Sequence, residues 1–186
     1  MKKIILIIIL VIAAILRLYE ISSFPAGLNA DEAALGYNAY SLFLTGRDEH
    51  GHILPVNLES FGDFKPAGYS YLLVPIVKVF GLTEFSVRLP SALFGVLAVF
   101  LVYLLVKKLI TDNCALITAT ALTLSPWHLH FSRGAWEVNV STTLLLLAVV
   151  FFLKWLKNKK VSLLLTVTVT LTLSMYFYQS TRVIAP

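Results

Sequence analysis

The sequence predicts an all-α polytopic membrane protein of about five transmembrane helices, with a large outer loop that carries interfacial helices. Three observations lead there. Of the 186 residues, 58% are hydrophobic and 13% charged, with a mean hydropathy of +0.83. The apolar residues gather in long blocks rather than in the amphipathic stripes of a soluble core, and the lysines sort to one side of those blocks. The solvent is a bilayer, which excludes a water-soluble globule and a disordered tail. A single cysteine, Cys114, supplies neither an internal disulfide nor a thiolate metal cage.

The first block, residues 4–19, comes after Met1-Lys2-Lys3 and is a short spanning helix. A basic start and thirteen apolar residues also fit a cleaved signal peptide, but residues 19–25 lack a clear small-x-small cleavage site, and either reading exports the loop beyond residue 19. Residues 89–106, 114–131, 138–156 and 161–178 form four more blocks, each close to the ~20 residues that cross ~30 Å of hydrocarbon. Residues 69–80 are too short to span and carry Pro75 and Lys78, so they read as interfacial. With the amino terminus cytoplasmic, the inner segments hold eight lysines and one acid, Asp112, and the outer segments hold the other nine acids. The net charge of +5 is then an orientation signal with lipid headgroup attraction, not a footprint for nucleic acid. In the alternating Thr/Val/Leu run 166–173 the hydroxyls are expected to bond the preceding helical turn or a neighbouring helix.

The outer loop, residues 20–88, is too long for a simple connector. It opens with Asn29-Ala30-Asp31-Glu32 ahead of a helix-compatible run. Asn-x-x-Glu is a capping box, and the helix dipole favours acids at this end. Capping accounts for one acid, however, and not for two adjacent acids at the mouth of a membrane protein, where ionisable groups are functional candidates. Further on, Phe64-Lys65-Pro66 places a lysine before a proline, in extended geometry, with its ammonium free to hold an anionic headgroup or to snorkel. The third candidate is Ser132-Arg133-Gly134-Ala135-Trp136-Glu137. Arg133 and Glu137 are four apart and could pair on one helix, yet a carboxylate opening an apolar segment needs a partner or a ligand. The pairs His50/His52 and His128/His130 could in principle make a four-nitrogen metal site, a weak signal given their distance in sequence. No nucleotide or phosphate-loop fingerprint is present.

A short first helix, a large outer loop opening with an Asp-Glu pair, a Lys-Pro, and a Ser-Arg…acid element after the third helix resemble the GT-C membrane glycosyltransferases. The likeness is to the branch of protein O-mannosyltransferases and of the aminoarabinose and Rgt-type lipopolysaccharide sugar transferases. It covers the whole chain and corresponds to the amino-terminal part of such an enzyme's membrane domain, so a fragment of a larger enzyme is expected. The resemblance implies that Asp31 is the catalytic base, that Glu32 is its neighbour in the motif, and that Lys65 lies near the carrier phosphate. Ala67 stands where that branch usually has a second proline. Glu137 matches a second outer acid, and Arg182 sits where relatives carry a basic residue; with Arg133 it is a candidate substrate-binding cation.

The function implied is inverting transfer of a sugar from a polyprenyl-phosphate donor to a lipid, glycan or protein acceptor on the outer face of the cell membrane. The expected partners are membrane lipids, the lipid-linked sugar and the acceptor, with no nucleic acid. No cofactor or metal is required. The competing reading is a non-catalytic membrane scaffold or lipid-binding protein, in which the acids only cap helices and pair with Arg133.

Overall fold

The computed structural model describes residues 1–60 and 62–184, with side chains except that of Ile184. Its elements run α1 (Lys2–Leu18), α2 (Ala30–Thr45), β1 (Asn57–Ser60), β2 (Asp63–Pro66), α3 (Gly68–Phe80), α4 (Glu84–Leu109), α5 (Asp112–Leu124), α6 (Pro126–Arg133), α7 (Glu137–Asn158), α8 (Val161–Phe177) and α9 (Thr181–Ile184). α4 is the hub, packing against α1, α2, α3, α5, α6 and α7.

Among the described residues two helices, α4 and α7, are long and apolar enough to cross a membrane. At 1.5 Å per residue they reach about 39 and 33 Å. α1 and α8, at 17 residues each, reach about 26 Å, short of the hydrocarbon thickness. α4 starts five residues ahead of the expected block because Thr83 caps it: its Oγ1 accepts the Ser86 N–H at 3.2 Å, and Ser86 Oγ accepts the Thr83 N–H in return.

The block 114–131, expected as a single helix, is two helices. Pro126 lacks an N–H, and its ring excludes the helical position of the carbonyl four residues earlier, so α5 ends and α6 begins at Ser125–Pro126. Ser125 serves both ends, closing α5 and accepting the His128 N–H at 3.4 Å. The orphaned carbonyl of Leu122 is met by Arg17, whose Nη1 also donates to Ala13 O at 3.1 Å. Arg17 Nη2 lies 2.8 Å from His128 Nδ1. A guanidinium can only donate, so Nδ1 accepts and the ring proton sits on Nε2.

Two cores result. One joins α1, α4 and α5 through Ile9, Ala13, Val99, Tyr103, Ala115 and Ala119. The other joins α2, α3, the start of α4, α7 and α8 through Leu35, Tyr69, Leu73, Val87, Val140 and Phe177. Between α4 and α7, Asn139 Nδ2 donates to Ser91 O at 2.8 Å, polar glue of the kind apolar helices use. Thr166, Thr168 and Thr170 of α8 satisfy their hydroxyls on the preceding turn, as with Thr166 to Ser162 O at 2.9 Å. β1 and β2 form an antiparallel hairpin that pairs Leu58 with Lys65 and leads into α3. In chain order the hairpin and α2 stand between the first apolar helix and α4.

α4 and α6 approach closely at Gly95, where a Cβ would lie 2.6 Å from Ser132 Cβ and 3.0 Å from Arg17 Nε. Gly95→Val should therefore destabilise the bundle by about 1–3 kcal/mol or more through overpacking. A lowered thermal unfolding midpoint in detergent is the expected result, and an unchanged midpoint would contradict this packing.

Candidate active site

A polar cavity of about 610 Å³ opens at the amino-terminal end of α7, lined by Asp31, Lys65 and Glu137 together with Phe131, Trp136 and Gln179 among others. Each acid and the lysine arrives there for a local reason.

Asp31 is the second residue of α2, whose start is set by Asn29. Asn29 Oδ1 accepts the Glu32 N–H at 2.8 Å, and Glu32 Oε2 accepts the Asn29 N–H at 3.1 Å, the reciprocal capping box expected from the sequence. The cap leaves Asp31 half-buried, with its carboxylate toward the cavity. Lys65 lies on β2, held extended ahead of Pro66. Its Nζ forms an ion pair with Asp31 Oδ1. Glu137 is the first residue of α7 and is 8% exposed. Among the described residues it makes no ion pair.

Glu32 points the other way and is 3% exposed. Its Oε1 accepts from Arg88 Nε at 2.9 Å and from the Ala135 N–H at 2.9 Å, and its Oε2 accepts from Arg88 Nη2 at 3.1 Å. Arg88 is fully buried. Its remaining donors reach Ile21 O at 2.9 Å, Pro25 O at 2.8 Å and Gly27 O, so all five N–H groups are used. Burial works against the Glu32 carboxylate, but the Arg88, Ala135 and Asn29 hydrogen bonds outweigh it and hold its pKa below the ordinary value. The expected catalytic pair is thus split by geometry: Asp31 faces the cavity and Glu32 faces the protein.

Arg133 does not pair with Glu137. α6 ends at Arg133 and a non-helical turn at Gly134 comes next, so the four-residue spacing does not produce a shared helical face. Instead Arg133 Nη1 donates to Leu16 O at 2.7 Å, and Nη2 to Tyr19 O at 3.0 Å and Phe24 O at 2.9 Å. It closes the carboxy-terminal end of α1, where orphan carbonyls and the helix dipole favour a cation, and it is absent from the cavity lining. Arg182 is exposed on α9, its Nε donating to Met175 O at 3.3 Å, two residues beyond Ser180 of the lining. Gln179 Nε2 donates to Phe64 O at 2.7 Å and ties the α8–α9 turn to the hairpin.

The two histidine pairs do not meet in one site. His52 Nδ1 bonds buried Asp48 Oδ2 at 3.0 Å, whereas His128 sits beside Arg17. Among the described residues no group of three or more His, Cys, Asp or Glu could hold a metal. Sequence reasoning missed Arg88 and Arg17. The available signal was a lone charge bordering an apolar block, which in a membrane segment marks a paired or functional group.

The fold thus gathers two carboxylates and a lysine at one polar cavity of a helical chain with membrane-length helices. Residues 64–186 match the model of the family described as dolichyl-phosphate-mannose-protein mannosyltransferase, and since this is more than half of the sequence, the chain belongs to that family, one of the GT-C glycosyltransferases. No curated protein sequence matches. Among solved structures the chain is similar to ArnT from Cupriavidus metallidurans in its apo state, with a TM-score of 0.74 and 15% sequence identity over 92% of this chain. At that identity the likeness is one of fold. The chain spans 32% of the length of that structure.

Replacing Glu32 by Gln leaves Arg88 buried without its counter-charge, which typically costs about 3–5 kcal/mol. Because the Glu32 pKa is lowered on folding, the stability it contributes is fully present above its unfolded value of 4.5 and is lost as pH falls through the lower folded value. Thermal unfolding from pH 7 to pH 3 should show a large loss of stability for Glu32→Gln at neutral pH and a shallower decline than wild type below pH 4.5. Parallel declines would remove Glu32 from this role.

Proposed function

We propose that this chain carries the acid and phosphate-binding groups of an inverting glycosyltransferase, one that moves a sugar from a polyprenyl-phosphate donor to a lipid, glycan or protein acceptor at the outer face of the cell membrane. The observation that carries the reading is the Asp31–Lys65 ion pair in a cavity shared with Glu137. A lipid-linked sugar keeps its chain in the bilayer and its sugar at the interface, so its enzyme needs apolar helices below a polar site.

In the proposed step the acceptor oxygen attacks the anomeric carbon from the face opposite the phosphate. The new C–O bond forms as the anomeric C–O(phosphate) bond breaks, and its electron pair leaves with the phosphate. The acceptor proton passes to the Asp31 carboxylate, a contribution typically worth ~10²–10⁴ in rate. Lys65 holds the leaving charge. In the structure Lys65 is paired with Asp31. A phosphate that competes for the ammonium releases the carboxylate, so donor binding itself prepares the base. Glu137 orients the acceptor hydroxyl, and Glu32 acts behind the site as the anchor of Asp31 and of the turn before Glu137. Arg182, next to the cavity lining, is the second cation for the carrier phosphate, and Arg133 contributes by fixing the end of α1. The scheme uses no cofactor and no metal.

The orientation that goes with it places the amino terminus in the cytoplasm, five apolar segments across the bilayer (α1, α4, the α5–α6 pair, α7 and α8), and residues 20–88 outside. The lysines at the carboxy-terminal ends of α4 and α7 then face inward, as the positive-inside rule requires.

Two experiments test this reading. Asp31→Asn should lower transfer of labelled sugar in proteoliposomes by about 10²-fold or more with an unchanged unfolding midpoint, and Lys65→Met should weaken binding of polyprenyl phosphate. Full transfer by Asp31→Asn would leave the acid as a helix cap and favour the scaffold reading. Separately, a cysteine at exposed Ala30 in a Cys114→Ala background should react with an impermeant maleimide from outside intact cells. Protection there with reaction only after lysis would overturn the topology.

A further inference from the structure

The turn from α6 to α7 carries a cluster of aromatic rings. The Phe131 and Trp136 rings lie 5.7 Å apart at 62°, forming a corner, and His130 packs against both at 5.3 and 6.0 Å. We propose that Phe131 and Trp136 form a stacking platform for the C–H face of the sugar ring on the lipid-linked donor, an inference that rests on the proposed transferase function.

Aromatic residues at this level of a membrane protein commonly form an interfacial belt. Trp127, one turn before Phe131, fits that role: it is 75% exposed and lines an apolar groove of about 410 Å³ between α4, α5, α6 and α7. Trp136 differs. It is half-buried, absent from that groove, and lines the polar cavity with Asp31, Lys65 and Glu137. Phe131 lines both spaces, at the boundary between the apolar groove and the polar cavity. Phe64 and Tyr178 also border the cavity, but both are more exposed.

The corner is held rigid. Ser91 Oγ donates to Phe131 O at 2.9 Å, the Asn139 N–H to Trp136 O at 3.0 Å, and Glu32 receives the N–H of Ala135 between them. Trp136 folds back over Gly134, where a Cβ would fall 2.6 Å from the indole Nε1, so the turn admits the ring only because that residue has no side chain. A rigid ring in a half-polar cavity loses little entropy when a ligand stacks on it. Charged groups recognise a phosphate but offer nothing to the apolar C–H face of a sugar. An aromatic face, with its negative quadrupole, meets the weakly positive C–H hydrogens of that face. Among the described residues nothing accepts the Trp136 indole N–H, which leaves it for a sugar hydroxyl.

The test compares lipids with and without the sugar on the protein in phospholipid nanodiscs. The probes are polyprenyl phosphate and its mannose-, glucose- and arabinose-bearing esters. Trp136→Ala should weaken binding of the preferred sugar-bearing lipid by about tenfold, in line with aromatic stacking elsewhere, while binding of bare polyprenyl phosphate stays within about twofold. Trp136→Phe should recover most of the loss. Equal losses on both kinds of lipid, or no loss on the sugar-bearing ones, would overturn the platform. A wild type that binds no polyprenyl phosphate at all would instead overturn the function on which it rests. If Trp136→Ala does not fold, a protein with Trp127→Phe and Trp155→Phe leaves Trp136 as the sole tryptophan fluorophore. Its emission should shift with the sugar-bearing lipid and not with the bare phosphate; the same response to both, or none, rejects the proposal.

Discussion

A single buried ion pair, Arg88 with Glu32, fixes the chain segments that surround the polar cavity. The guanidinium enters from the hub helix α4 and directs its five donors to the carboxylate and to carbonyls at residues 21, 25 and 27. The carboxylate adds the Ala135 N–H. Four chain segments, otherwise separate, are locked at one point: the exit from α1, the start of α2, the start of α4 and the turn before α7. A buried pair of this kind is weak evidence for net stability, because desolvating both charges offsets most of the Coulombic gain. Its effect is positional. With every donor and acceptor satisfied the arrangement is unique, and Asp31 and Glu137, more than a hundred residues apart, are brought to one cavity.

The three arginines of the bundle share a task that the lysines do not. Arg17 meets the carbonyl freed at the Pro126 break, Arg88 gathers the carbonyls of the 21–27 loop, and Arg133 closes the end of α1. Arg17 and Arg133 meet carbonyls that a helix end leaves without a partner, and Arg88 meets carbonyls of the loop beyond α1. A planar fork of fixed donors suits that work; a lone ammonium on a flexible stem does not. Lys65 has the opposite character. Its single charged nitrogen pairs with the Asp31 side chain and with no backbone carbonyl.

The broken helix α5–α6 reflects the same need to satisfy backbone groups. A helix unbroken from 112 through 137 would carry Phe131, Arg133 and Glu137 along one axis, away from Asp31 and Lys65. The break turns α6 aside, so that Phe131 borders both an apolar groove and a polar cavity and Glu137 starts a new helix beside Asp31. The amphiphilic outline of the site, apolar on one side of Phe131 and charged on the other, thus depends on one proline and the arginine that compensates for it.

Composition and block lengths alone determined the membrane class, the helical architecture and the position of most helix ends. The Asn29 cap, the extended Lys65 before Pro66 and the acid opening α7 were legible because they depend on neighbours within four residues. Pro126 carried the information for the helix break as well, but hydropathy averaged it away. Tertiary structure alone decided that Glu32 turns from the cavity to Arg88, 56 residues away, and that Arg133 ignores Glu137 four positions on. The reason is physical: the acceptors these arginines chose are mostly backbone carbonyls. Every residue has one, so a side chain that binds them leaves no partner type and no spacing for a sequence to display.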